Sequence, residues 1–285
     1  MPGTGRSVLL LAAFGASSIC AYAQECCAQA STTPFATLAA NEVFRNTHME
    51  PRAYQGGTIA GEWVLIPMAD GSQTKAWLVP ARSASARWLF VFHEWWGLND
   101  FIRAEGARLA GELDSTTVLC LDMYSGKTST DRNGAAALMG GMTKEHARAV
   151  VAAAIAYVGP EARVATIGWC MGGGLSLQAS MALAQQGVGC VLYYGMPEED
   201  PVKLAALNAP VLGIFAEEDA TINADVVNRF AKNMAKANRQ LTVETYKADH
   251  AFANPSNPHH DVKATRDANA KTLAFLKRVL TPSDR

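Results

Sequence analysis

Five short uncharged runs, "LFVF", "TVLCL", "VATIGW", "GVGCVLYY" and "VLGIFA", recur along this chain, and each leads into a stretch with helical spacing or a turn. A strand with one wet face would alternate apolar and polar residues; these runs do not. Strands apolar on both sides are buried on both sides, which requires a mostly parallel sheet with helices covering each face. The helical stretches fall at 100–113, 143–158, 172–186, 223–237 and 261–280, with a short one at 201–208. Ahead of them, "EWVLIPMADGSQTKAWLVP" holds two strand-like runs around Ala69-Asp70-Gly71-Ser72 and predicts a hairpin. No linker divides residues 60–280, so one doubly wound α/β domain over 59–285 is expected.

The first residues read differently. Arg6 precedes a short apolar run that ends at Ala21-Tyr22-Ala23, a small-x-small boundary, and this order predicts a signal peptide over 1–23. The run falls short of the ~20 residues that a membrane span needs. Export to the periplasm or medium, with no membrane span in the mature chain, is the expectation. Residues 24–58 show little pattern and read as an N-terminal arm.

Composition narrows the function. Of 285 residues 49% are apolar and 18% charged, which describes a folded protein rather than a disordered one. The net charge of −1 comes without any basic run, so nucleic acid is excluded as a partner. Cleavage would leave Cys26, Cys27, Cys120, Cys170 and Cys190, an odd number, so at least one thiol stays free or pairs between chains. Cys120 and Cys190 lie in apolar strand runs and are expected to be buried small hydrophobes. A redox role for Cys170 through a Cys-x-x-Cys mechanism is excluded, because no partner cysteine lies close in sequence.

Chemistry in an open parallel sheet gathers beyond the carboxyl ends of its strands. There the sequence sets His93-Glu94, Cys170, Asp219 and His250. Gly168-Trp169-Cys170-Met171-Gly172 has the small residues that a sharp strand-to-helix turn needs to present a nucleophile. A helix start at the same point favours thiolate. Nucleophile, acid and base then follow in the order of an α/β-hydrolase, with cysteine in place of serine. His93 is expected to make a structural hydrogen bond. His259-His260-Asp261 lacks the spacing of a metal site.

"HEWWGLND" (93–100), "LDMYSGK" (121–127), "GWCMGG" (168–173), "AEEDATI" (216–222) and "ADHAFANP" (248–255) together resemble the dienelactone hydrolase family, over roughly residues 60–280. The resemblance implies an α/β-hydrolase fold and hydrolysis of a small ester or lactone through an acyl-thioester, without metal or cofactor. It assigns Cys170 as nucleophile, His250 as base and acid, and Asp219 as the group that orients His250. Glu94 would partner the resting thiol and help to form thiolate, and backbone N–H groups of Trp95 and Met171 would stabilise the oxyanion. The family grips a substrate carboxylate with arginines just after the "LDMY" motif and just after the catalytic histidine. Here neither 125–127 nor 251–254 contains one. Lys127 or Arg132 could stand in, though neither offers an equivalent planar fork there. Trp95, Trp96, Tyr124 and Phe252 suggest instead an apolar pocket for a neutral substrate, and 126–142, rich in small residues, a mobile flap above it. A monomer is expected. The rival reading is a secreted binding module that keeps the fold without turnover; the intact set of Glu94, Cys170, Asp219 and His250 argues against it.

Overall fold

The computed structural model describes residue 37 and residues 39–281. The predicted signal peptide, Cys26 and Cys27 therefore lie outside the described residues. The hairpin forms as expected: β1 (Glu62–Pro67) pairs antiparallel with β2 (Gln73–Val79), and Gly71 takes a φ of +84° at the turn. There follow β3 (Arg87–Phe92), α2 (Asp100–Glu112), β4 (Thr116–Leu121), α3 (Arg132–Gly141), α4 (Lys144–Val158), β5 (Arg163–Trp169) and α5 (Met171–Ala182). The chain closes with β6 (Gly187–Tyr193), α6 (Pro201–Leu204), β7 (Val211–Ala216), α7 (Ala224–Lys236), β8 (Leu241–Tyr246) and α8 (Val262–Leu280). A six-residue helix, α1 (Glu42–Thr47), precedes all of these.

The eight strands form one sheet in the order β1-β2-β4-β3-β5-β6-β7-β8. β2 runs antiparallel to β4, and every pair from β4 to β8 is parallel. This is the doubly wound sheet of an α/β-hydrolase. Burial follows the reading of the apolar runs: every residue of β7 is buried, whereas no residue of the edge strand β8 is. The helices form where caps and apolar stripes coincide. Asn223 accepts from the Val226 N–H at the start of α7, and Val226, Val227, Phe230 and Met234 face the sheet from it. α5 is different, with ten of its twelve residues buried, so the polar faces usual on a surface helix are absent.

Two expectations need correction. The stretch 126–142, expected as a flap of small residues, is helical over most of its length: Asp131 caps α3 by accepting from the Gly134 N–H at 2.8 Å, and ten helical residues follow. The arm before residue 58 is not patternless, since α1 docks on the domain with Phe44 2% exposed and His48 3% exposed. Among the described residues, no helix is long and apolar enough to cross a membrane.

Candidate active site

Strand register brings the site together. Phe92 at the end of β3 pairs with Gly168 on β5, so Glu94 and Cys170, each two residues further on, emerge side by side. Ala216 at the end of β7 pairs with Tyr246 on β8, which brings Asp219 and His250 to the same edge. Residues separated by up to 156 positions become neighbours because parallel strands all end on one side of the sheet.

Cys170 sits on the sharp turn that its neighbours anticipated. Its φ is +55° and ψ −121°, a conformation that costs a non-glycine residue of order 1–3 kcal/mol and persists only where the surroundings enforce it. They do. A Cβ on Gly168 would strike the backbone of Gly172, and a Cβ on Gly172 would strike the carbonyls of Phe92 and His93. With those hydrogens in place of methyl groups, α5 starts directly against β3 and β5.

Around the sulfur stand two histidines. Asp219 Oδ2 accepts from His250 Nδ1 at 2.5 Å, while Asp219 Oδ1 accepts from the N–H groups of Thr221 and Ile222 at 2.8 and 2.9 Å. The carboxylate thus ties its own loop and orients the imidazole at once. Burial opposes charge on both partners. The attraction between them prevails, holding Asp219 below the usual carboxylate range and His250 well above the usual imidazole range. Burial raises the Cys170 thiol, and the Glu94 charge adds to this; His250 and the Met171 N–H act the other way. Cys170 adds to the lift on His250 as Asp219 does, so thiol and imidazole titrate as one buried pair.

The second histidine is His48, from the arm. Its Nδ1–H donates to the Phe44 carbonyl at 2.7 Å, so Nε2 keeps its lone pair and lies 3.6 Å from the sulfur of Cys170. The ring contacts Trp95 and His250 at centroid distances of 4.5 and 4.7 Å. Burial, and then the nearby His250, lower its pKa to about 3, so it is neutral. Nothing in the sequence marks this residue. A lone histidine in a segment with little sequence pattern carries no motif, and only docking through Phe44 makes it part of the site.

Glu94 is buried, with Asn254 Nδ2 donating to one carboxylate oxygen and the Tyr194 hydroxyl 3.4 Å from the other. Burial raises it to about 7. As arranged here the sulfur faces His48 and His250 rather than Glu94, and the charge of Glu94 opposes thiolate. His93 is structural as expected: its Nε2 accepts from the Met123 N–H at 3.1 Å, which leaves Nδ1–H to donate to the Glu94 carbonyl at 2.6 Å.

A profile of the dienelactone hydrolase family matches residues 75–280. The chain belongs to that family. Carboxymethylenebutenolidase from a Pseudomonas species is 31% identical over 206 residues, covering 67% of this chain and 84% of the relative. Carboxymethylenebutenolidase 1 of Cupriavidus pinatubonensis is 28% identical over 235 residues, covering 77% and 98%. Among solved structures, a dienelactone hydrolase-like promiscuous phosphotriesterase from metagenomic libraries shares the fold, with a TM-score of 0.67 at 18% identity. It covers 78% of this chain and all of its own. As a member of the dienelactone hydrolase family, the protein is a hydrolase of the ester or lactone type.

The remaining residues sort by distance from the sulfur. Trp95 and Trp96 are buried against each other, with Trp95 also meeting Phe44. The Tyr124 hydroxyl donates to the Met171 sulfur at 3.1 Å, behind the nucleophile. Phe252 packs on Tyr194, whose ring in turn meets His250, so Phe252 stands one layer back. Arg132 donates to Asn46 Oδ1 on α1, which gives it a role in holding the arm. Lys127 lines a separate cleft of about 470 Å³ together with Arg52, Lys75 and Arg103, a cleft to which Cys170 and His250 contribute nothing.

Proposed function

We propose that the protein hydrolyses a small, neutral ester or lactone through an acyl-thioester on Cys170. The observation that carries this reading is the line Asp219–His250–Cys170 at three strand ends, with the cysteine forced into a strained turn. Substrate must first reach a sulfur that is 1% exposed, so α1 and His48 move aside as it enters. His250 then takes the thiol proton at Nε2 while Asp219 steadies the resulting imidazolium. The thiolate adds to the carbonyl carbon. Backbone N–H groups of Met171 and Trp95 hold the oxygen that becomes negative. The tetrahedral adduct collapses as the C–O bond breaks, and the leaving alkoxide takes the proton from His250. Water, deprotonated by His250, attacks the thioester; carboxylic acid leaves and the thiol is restored. Trp95 and Trp96 shape the apolar side of the site, and Tyr124 and Phe252 support it.

The missing arginines support a neutral substrate, since a carboxylate entering without a paired cation loses its water uncompensated. Export is part of the same proposal and rests on the boundary at Ala23. The test is intact-mass measurement after mixing with an aryl ester. A transient adduct of acyl mass that maps to Cys170, absent in Cys170→Ala together with turnover, is the expected result. Undiminished turnover in Cys170→Ala overturns it.

A further inference from the structure

Cys170 and the two histidines beside its sulfur are of the residue types that hold a metal, and they stand at matching distances. The Sγ of Cys170 and one imidazole nitrogen from each of His48 and His250 lie within 4.8 Å of one another, and all three side chains are buried. Two details distinguish them from a chance cluster. Each imidazole is held at Nδ1 by an acceptor, His48 by the Phe44 carbonyl and His250 by the Asp219 carboxylate, so that Nε2 is the free ligand atom on both. Second-layer acceptors of this kind orient histidines at metal sites. The other detail is that Nε2 of His250, at 5% residue exposure, has no hydrogen-bond partner and faces this space.

From these we infer that His48, Cys170 and His250 bind a thiophilic divalent cation, Zn²⁺ above all, and that the bound ion locks the arm onto the catalytic centre. The sizes agree. Tetrahedral zinc with Zn–S of about 2.3 Å and Zn–N of about 2.0 Å separates sulfur from nitrogen by about 3.5 Å. The sulfur and Nε2 of His48 are already 3.6 Å apart. With the three atoms within 4.8 Å of one another, the His250 nitrogen would draw in by at most about 1.5 Å. One sulfur and two imidazoles suit zinc or monovalent copper and not magnesium or calcium, which require oxygen. Binding replaces the S–H bond by S–Zn and releases one proton to solvent. The ion then holds both the nucleophile's lone pair and the base's, so hydrolysis stops while it stays. Because one ligand, His48, directly follows α1, the same ion keeps closed the segment that substrate must displace.

This inference does not depend on Cys170 acting as nucleophile, and the experiment needs no substrate. The full-length enzyme is loaded with Zn²⁺ and its X-ray absorption measured; Co²⁺ is used as a coloured probe, with Mg²⁺ and Ca²⁺ for comparison. One sulfur and two imidazole nitrogens in the zinc shell, a sulfur-to-cobalt charge-transfer band, and one proton released per ion are expected. His48→Gln should weaken zinc binding at least tenfold, since even an outer partner costs about 10–100-fold, and His48→Cys should recover it. A shell without sulfur overturns the inference. So does zinc affinity unchanged in His48→Gln, which would leave the ion on the catalytic pair alone. If His48→Gln does not fold, the absorption data and His48→Cys decide: affinity in His48→Cys below tenfold of the native value, or a native shell with fewer than two imidazoles, overturns it.

Discussion

Nε2 of His48 lies 3.6 Å from Sγ of Cys170, although 122 residues separate them and His48 belongs to a segment outside the sheet. A neutral imidazole that accepts from the thiol favours S–H over thiolate. It also occupies the ground over the sulfur that a substrate carbonyl needs. The sulfur in this conformation is therefore covered, and under the proposed mechanism turnover requires α1 to yield.

Phe44→Ala tests that hold. Burying a phenylalanine contributes about 1.5–3 kcal/mol, and the polar ties of the arm, such as Arg132 to Asn46, are exposed and worth less. Losing the ring should raise the population with the arm open about tenfold or more, since 1.4 kcal/mol is a factor of ten. Iodoacetamide should alkylate Cys170 faster by that factor, with the main unfolding transition almost unmoved. An unchanged alkylation rate means that α1 does not control access.

Gly172→Ala tests the turn. The added methyl meets the backbone carbonyls of Phe92 and His93, which belong to the strand and cannot swing away. Overpacking of this kind costs about 1–3 kcal/mol. Urea unfolding should show the loss as a lower midpoint with the slope unchanged. A variant as stable as the native protein would mean that α5 can start further from β3 than it does here.

Glu94→Gln tests a buried carboxyl. Its folded pKa is raised to about 7 from an ordinary value of 4.5. Between these values the folded protein keeps a proton that the unfolded chain has released. Stability from this group is thus fully present below about pH 4.5, falls as pH rises, and levels off above about 7. The full drop is about 3 kcal/mol at 1.36 kcal/mol per unit. Glutamine does not titrate, so the variant should gain on the native protein by up to that amount across the window. Parallel stability curves for the two proteins would rule out the shift.

Substrate charge gives a kinetic comparison. A neutral lactone should exceed its carboxylate-bearing analogue in kcat/KM by about tenfold at pH 7, which corresponds to about 1.4 kcal/mol in the transition state. One missing charge-assisted contact is enough for that. A tenfold preference for the carboxylate would show that a cation has taken the place of the arginines.

Export predicts a mature N-terminus at Gln24. Intact mass of the protein purified from its native host checks this directly, and retention of residues 1–23 would refute it.

The order of strands and helices, the hairpin, the turn at Cys170 and the chain order Cys170, Asp219, His250 were all legible in the sequence. Each rests on a local cause: apolar runs long enough to be strands, caps such as Asn223, and glycines where a side chain would collide. α3 escaped because Gly134, Gly140 and Gly141 lower its helix propensity, and the Asp131 cap with burial of Ala135 and Met139 overrides them. Glu94 was correctly set at a strand end, but its partners Asn254 and Tyr194 come from other loops. His48 was decided by tertiary structure alone. Its neighbours in sequence carry no signal, and the free energy that brings it to the sulfur is the burial of Phe44 against Trp95, a contact between parts of the chain 51 residues apart. Periodicity and turn chemistry act over a few residues, so they specify elements and the residues at their ends. Which distant segment covers those ends depends on the shape of the assembled surface, and that exists only after the sheet has formed.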